Sequence, residues 1–169
     1  MIYIRSQTAP VKVNQPQFQI INPNDNKTIE LISDWYLSQW NIPKNITIQK
    51  LKSFSGEGPP FQVVMTLDAV PIATGGLYNH VGLLDKEPRF SIYKYWLALV
   101  CTIPGKRHQG YGALICEYIH EYSKKLGIKE MFLFSDTAEQ LYKRLGWHVL
   151  ERLSLGERNI VVMKKQLSE

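Results

Sequence analysis

The residues with the most chemistry in their spacing are IPGKRHQGYGALI, positions 103–115. Lys106, Arg107 and His108 stand directly before Gly110 and Gly112, and an apolar helix-forming run follows. A helix start leaves backbone N–H groups unpaired and carries roughly half a positive charge. Such donors attract anions, phosphate above all. Glycine removes the Cβ that would hold a pyrophosphate off the backbone, and Lys106 and Arg107 add fixed charge at the mouth. These residue types point to a diphosphate cradle. Two familiar cradles do not fit. A nucleoside-triphosphate loop needs Lys and then Ser or Thr after its second glycine, whereas Tyr111 and Gly112 follow Gly110. A dinucleotide fingerprint needs a small residue where Ile115 stands, and a place on the first strand. What remains is Arg-x-x-Gly-x-Gly, Arg107 to Gly112, a pattern that a simple tight turn would also satisfy.

The elements that must hold this turn are legible as patterns. YWLALVCT, 95–102, is a nearly continuous apolar run, as in a strand covered on both faces. From about Gln109 to Leu126 the spacing predicts a helix, with Leu114, Ile115, Tyr118, Ile119, Tyr122 and Leu126 on its inner side. Gly127 is its stop. MFLF, 131–134, reads as a second buried strand, so the order implies a right-handed crossover and a parallel pair. A short helix over 137–145 ends at Gly146, and WHVLERL and NIVVMKK supply two closing strands. Upstream, the first ~17 residues read as an extended arm or edge strand and FQIIN, 18–22, as a short strand. A helix capped by Asn24 or Asp25 carries Ile32, Trp35, Tyr36 and Trp40 and ends at Pro43. A second helix spans 46–54, a loop 55–60, and FQVVMTL with PIATGGLY form an antiparallel hairpin. A long connection, 79–94, leads into the second half. The expectation is one α/β domain with a mixed sheet.

Bulk properties narrow the function classes. With 169 residues, 44% hydrophobic and 21% charged, the chain suits one soluble globular domain. No run approaches the roughly 18 apolar residues of a membrane span. The opening MIYIRSQTAPVKVNQPQ has no secretory apolar core, so a cytoplasmic location is expected. Cys101 and Cys116 belong to no CxxC pair and read as two buried thiols, with no metal site. The net charge of +5 is scattered, which favours a solvated basic surface over a nucleic-acid face, and neither nucleic acid nor membrane is expected as a partner.

A second segment joins the first. SDTAEQLYKRLGW, 135–147, lies one strand beyond the glycine turn and places Ala138, Leu141, Tyr142, Gly146 and Trp147 in a spaced pattern. Together the two segments resemble the GNAT N-acetyltransferase superfamily, whose cofactor turn is Gln/Arg-x-x-Gly-x-Gly/Ala and whose later helix is Asn-x-x-Ala-x-x-Leu-Tyr-x-x-x-Gly-Phe. The resemblance is firm over 95–147 and looser before it. It implies an α/β (α+β) domain, a mixed, mostly antiparallel sheet with a splayed parallel strand pair, and helices on both faces. Residues 1–94 would shape the acceptor site, and 95–169 would hold acetyl-CoA and the catalytic groups.

The resemblance further implies that the pantetheine arm of acetyl-CoA pairs with Val100, Cys101 and Thr102 as an added strand. The pyrophosphate would meet the amides of His108, Gln109, Gly110, Tyr111, Gly112 and Ala113, beside Arg107. A strand amide near Cys101 would face the developing oxyanion. Tyr142 would protonate the leaving thiolate. His80, with Asp85 and Glu87 in the same connection, is a candidate base for the amine. Ser135 takes the place of the family's Asn at a cofactor contact, while Asp136 and Glu139 suggest a capping box. No histidine is placed to activate Cys101, so direct transfer in a ternary complex is expected over an acetyl-cysteine. The implied activity is an acetyl-CoA-dependent N-acetyltransferase acting on an amine, a small molecule by preference, as monomer or homodimer. A protein N-terminal or lysine acetyltransferase and a non-catalytic acyl-CoA-binding module are the alternatives.

Overall fold

Alternate residues of the central strands bury on opposite sides, and that alternation builds two cores. The computed structural model describes residues 14–167. In β2 (Phe61–Leu67), Phe61, Val63 and Met65 enter one core and Val64 the other. In β5 (Glu130–Ser135), Met131 and Leu133 face the first core and Phe132 the second. The expected N-terminal arm lies mostly outside the described residues; the strand expected at 18–22 is β1 (Gln17–Ile20).

With β3 (Val70–Tyr78), β4 (Trp96–Thr102), β6 (His148–Leu155) and β7 (Arg158–Gln166), these strands form one sheet in the order β1-β2-β3-β4-β5-β7-β6. All neighbours are antiparallel except β4 and β5, which are parallel. α4 (Tyr111–Lys125) and α5 (Glu139–Arg144) cover the first core, through Ile115, Cys116, Ile119 and Tyr142. α1 (Asn26–Trp40) and α2 (Lys44–Lys52) cover the second, through Ile29, Ile32, Tyr36 and Leu51. The seven-stranded mixed sheet with helices on both faces is therefore as expected.

Local chemistry sets the helix ends. The Asp25 carboxylate accepts from Thr28 N–H at 3.1 Å and caps α1. That helix ends at Asn41, whose left-handed backbone (φ 55) stops it before Pro43 is reached. Gly127 (φ 80) follows α4 as anticipated. The inner face of α4 differs from expectation: Cys116, His120 and Ser123 are buried with Ile115 and Ile119, while Leu114 and Leu126 are exposed. The helix seats its narrow side chains against the sheet and leaves the two leucines at its margins. The connection 79–94 carries α3 (Leu83–Lys86) and a 3-10 turn, Pro88–Ile92.

Candidate functional site

The chain after β4 makes a 3-10 turn, Pro104–Lys106, and then enters α4 through exposed residues. His108 (φ 61) and Gly110 (φ 86) both take left-handed backbone. Such turns aim successive N–H groups at one point, the geometry of anion nests. Leu114 is the first residue whose N–H reaches a helical carbonyl, Gly110 O at 3.2 Å. The amides ahead of it in that turn have no i−4 carbonyl within the helix. A Cβ at Gly110 would meet nothing within 4 Å, so a ligand can reach the backbone there. Arg107 stands at the mouth, its Nε donating to Thr102 O at 3.0 Å and its Nη2 to Gln39 Oε1 at 2.5 Å. That pair ties the turn to the end of α1.

Beside the turn the sheet opens. β4 and β5 share one register pair, Trp96 with Phe132, and Phe132 N–H donates to Tyr95 O at 2.9 Å. Beyond it the two strands have no ladder, and Ala98, Leu99 and Val100 are only half-buried where a continuous sheet would cover them. On the other side, Ile103 N–H donates to Ile72 O at 2.9 Å. Alternation then turns the peptide groups of Cys101 toward β3 and those of Thr102 and Val100 toward the gap. Val100 and Thr102 thus offer an open strand edge leading to the glycine turn, while Cys101 offers its side chain to the second core.

The edge is kinked. Gly76 pairs with Ala98 and Thr74 with Cys101, so Gly75 faces both Leu99 and Val100. Leu99 absorbs this bulge in left-handed backbone (φ 54), a conformation that costs a residue with a Cβ about 1–2 kcal/mol. Its carbonyl accepts from Tyr36 Oη at 2.7 Å. Gln62 Nε2 donates to Tyr36 Oη (2.9 Å) and Thr74 Oγ1 (2.7 Å), and Tyr78 Oη donates to Gln62 Oε1 (2.6 Å). A Cβ on Gly76 would lie 2.6 Å from Gln62 Oε1 and 2.5 Å from the Tyr78 ring, so only glycine admits this network. Helical spacing in the sequence marks Tyr36 but not its bond to β4, and it marks neither Gln62 nor Leu99. The paired glycines in ATGGLY were the available signal, since glycine inside a strand marks a bulge or a close approach.

The other expected site residues divide. Tyr142 is buried against Trp147 (ring centroids 6.0 Å apart) and shares a core with Val100, Tyr111 and Cys116, on the α4 side of the sheet. Burial, with Cys116 nearby, pushes its phenol well above the usual range and keeps it protonated. Ser135 ends β5 at the gap, and its Oγ accepts from Thr137 N–H (3.3 Å) and Ala138 N–H (3.0 Å). The expected capping box does not form: Asp136 pairs with Arg158 at 2.9 Å, and Glu139 binds Arg152 and Lys143, so Ser135 holds the helix entrance instead. His80 is not brought to this gap. It lies beyond Tyr78, which pairs with Trp96 at the opposite end of β4 from Thr102, and its Nε2 is 3.0 Å from Asp85. Both cysteines are free and buried, and burial pushes the Cys101 thiol up, against use as a nucleophile. Among the described residues no group of three or more His, Cys, Asp or Glu could hold a metal, and no helix is long and apolar enough to cross a membrane.

Known proteins share this fold. The sequence pattern of the acetyltransferase (GNAT) family matches residues 26–147. An aminoglycoside 6'-N-acetyltransferase complexed with coenzyme A superposes with a TM-score of 0.72 at 11% identity, over 90% of this chain and 98% of that one. The aminoglycoside 6'-N-acetyltransferase from Enterococcus faecium gives 0.71 at 11% identity, over 90% and 98%. The ribosomal-protein-S18-alanine N-acetyltransferase from Escherichia coli gives 0.65 at 14% identity, over 92% and 96%. At these identities the likeness shows the fold alone. No curated protein matches the chain.

Proposed function

The chain belongs to the acetyltransferase (GNAT) family, and from that premise we propose that it moves the acetyl group of acetyl-CoA directly onto the amine of a small molecule. One observation carries the reading: the exposed glycine turn and the open edge of β4 form a continuous path, amides first and strand edge second. The residues fit the cosubstrate. Clear space at Gly110 and the amides of His108 to Ala113 suit a diphosphate, and Arg107 has further N–H groups to offer it. Acetyl-CoA supplies a thioester whose carbonyl carbon is open to attack by a neutral amine.

The chain's own groups then have separable tasks. Val100 and Thr102 would pair with the extended arm and hold it in the gap, Thr102 through its N–H, since its carbonyl accepts from Arg107 Nε. The Val100 N–H, facing that gap, stabilises negative charge gathering on the carbonyl oxygen. Tyr142 keeps a proton for the departing sulfur and regains one from solvent. As the carbon–nitrogen bond forms and the carbon–sulfur bond breaks, the amine's surplus proton goes to water; His80 is at the other end of β4 and has no part in the step. The bond from Arg107 to Gln39 holds the turn against the end of α1, one of the elements expected to shape the acceptor site.

The test is an amine library, with peptide N-termini as a separate arm, incubated with acetyl-CoA and read by free-thiol release. Release with small amines is the expected result. Release with peptides alone would reassign the acceptor, and acetyl-CoA binding without release on any amine would make the protein an acyl-CoA-binding module.

A further inference from the structure

The bulge in β4 has an unusual support, and it rests on the reading just given. Tyr36, Gln62, Thr74 and Tyr78 are each at most 2% exposed, come from α1, β2 and β3, and satisfy one another. The network passes out of itself at two backbone groups, Val63 O, which accepts from Thr74 Oγ1 at 2.7 Å, and Leu99 O, which accepts from Tyr36 Oη at 2.7 Å. Leu99 is the residue in left-handed backbone. A bulge leaves the extra residue outside the ladder, and Tyr36 provides the donor that its carbonyl would otherwise lack.

The consequence follows from the peptide plane. In a trans peptide the C=O of Leu99 and the N–H of Val100 belong to one rigid unit and point in opposite directions. Holding the carbonyl toward Tyr36 therefore aims the Val100 N–H into the gap between β4 and β5. We propose that Tyr36, itself fixed by Gln62, is a positioning residue for acetyl transfer, which sets the Val100 amide toward the thioester oxygen without touching the substrate. Burial keeps the Tyr36 phenol protonated and donating, so the aim does not change with pH. The glycine at 76 is part of the same device, because a side chain there would displace Gln62.

Two measurements test this on the full chain. The first follows the Val100 amide by 15N NMR as acetyl-CoA and then free CoA are added. The expected result is a large Val100 shift with acetyl-CoA and a much smaller one with CoA, which lacks the carbonyl. Binding of both without that difference overturns the proposal and leaves the acetyl-CoA reading standing; no binding of either overturns both. The second uses kinetics. Tyr36→Phe removes one hydroxyl and is expected to lower kcat at least tenfold, with acetyl-CoA affinity by calorimetry unchanged. Adding Leu99→Gly, which takes the left-handed backbone without strain, is expected to restore part of the lost kcat. A double variant slower than Tyr36→Phe alone would mean that the tyrosine merely supports the fold, and would overturn the assignment.

Discussion

Tyr142 combines two properties that matter for an acid: it shares a core with Val100 of the open strand edge, and burial keeps its phenol protonated. Tyr142→Phe is expected to lower kcat about 100-fold with acetyl-CoA affinity intact, measured by steady-state kinetics beside calorimetry. The high phenol pKa also fixes the shape of the pH profile. Only the neutral amine attacks, so kcat/KM should climb with pH toward the acceptor's own pKa, near 10 for an alkyl amine, with no basic decline from Tyr142 below it. A decline at pH 8–9 would assign the acid to another group. His80→Ala and Cys101→Ala are expected to leave turnover close to the parent value. The histidine is at the far end of β4, and the thiol is held in its protonated form.

The glycine turn is an element whose function and stability separate. Nothing lies within 4 Å of a Cβ at Gly110, so a side chain there starts into the open space that a ligand would need. Gly110→Trp should abolish acetyl-CoA binding in calorimetry while costing only the strain of φ 86, about 1–2 kcal/mol. Normal affinity in that variant would remove the turn from the site. This turn was readable from sequence because its chemistry is local: a strand, six residues and a helix contain it. The Tyr142 helix was readable for the same reason. The support of the bulge was not, because Tyr36 and Leu99 are 63 residues apart and nothing near either one names the other. Nor could position in the chain reveal the end of β4 at which His80 sits. The inner face of α4 departs from its hydrophobic pattern because hydrophobicity ranks Leu114 and Leu126 above Cys116, His120 and Ser123, whereas fit against the sheet selects the smaller or narrower side chains.

For the molecule as a whole, that inward His120 couples stability to acidity. Burial first, and the charge of Lys165 second, lower its pKa from 6.5 to about 4. Between these values the unfolded chain takes up a proton that the folded chain refuses, so stability is complete above pH 6.5 and is lost as pH falls toward 4. At about 1.4 kcal/mol per pH unit the loss is about 3 kcal/mol, or roughly 10 °C in Tm. His120→Gln should flatten that part of a calorimetric pH series, and an unchanged slope would place the coupling elsewhere. The order β5-β7-β6 carries a different consequence. The hairpin of β6 and β7 enters the sheet with its later strand innermost, so β6 has nothing to join until β7 exists to bridge it to β5. During synthesis β5 therefore waits with one flank bare, and the sheet closes only when β7 slides between two strands made before it.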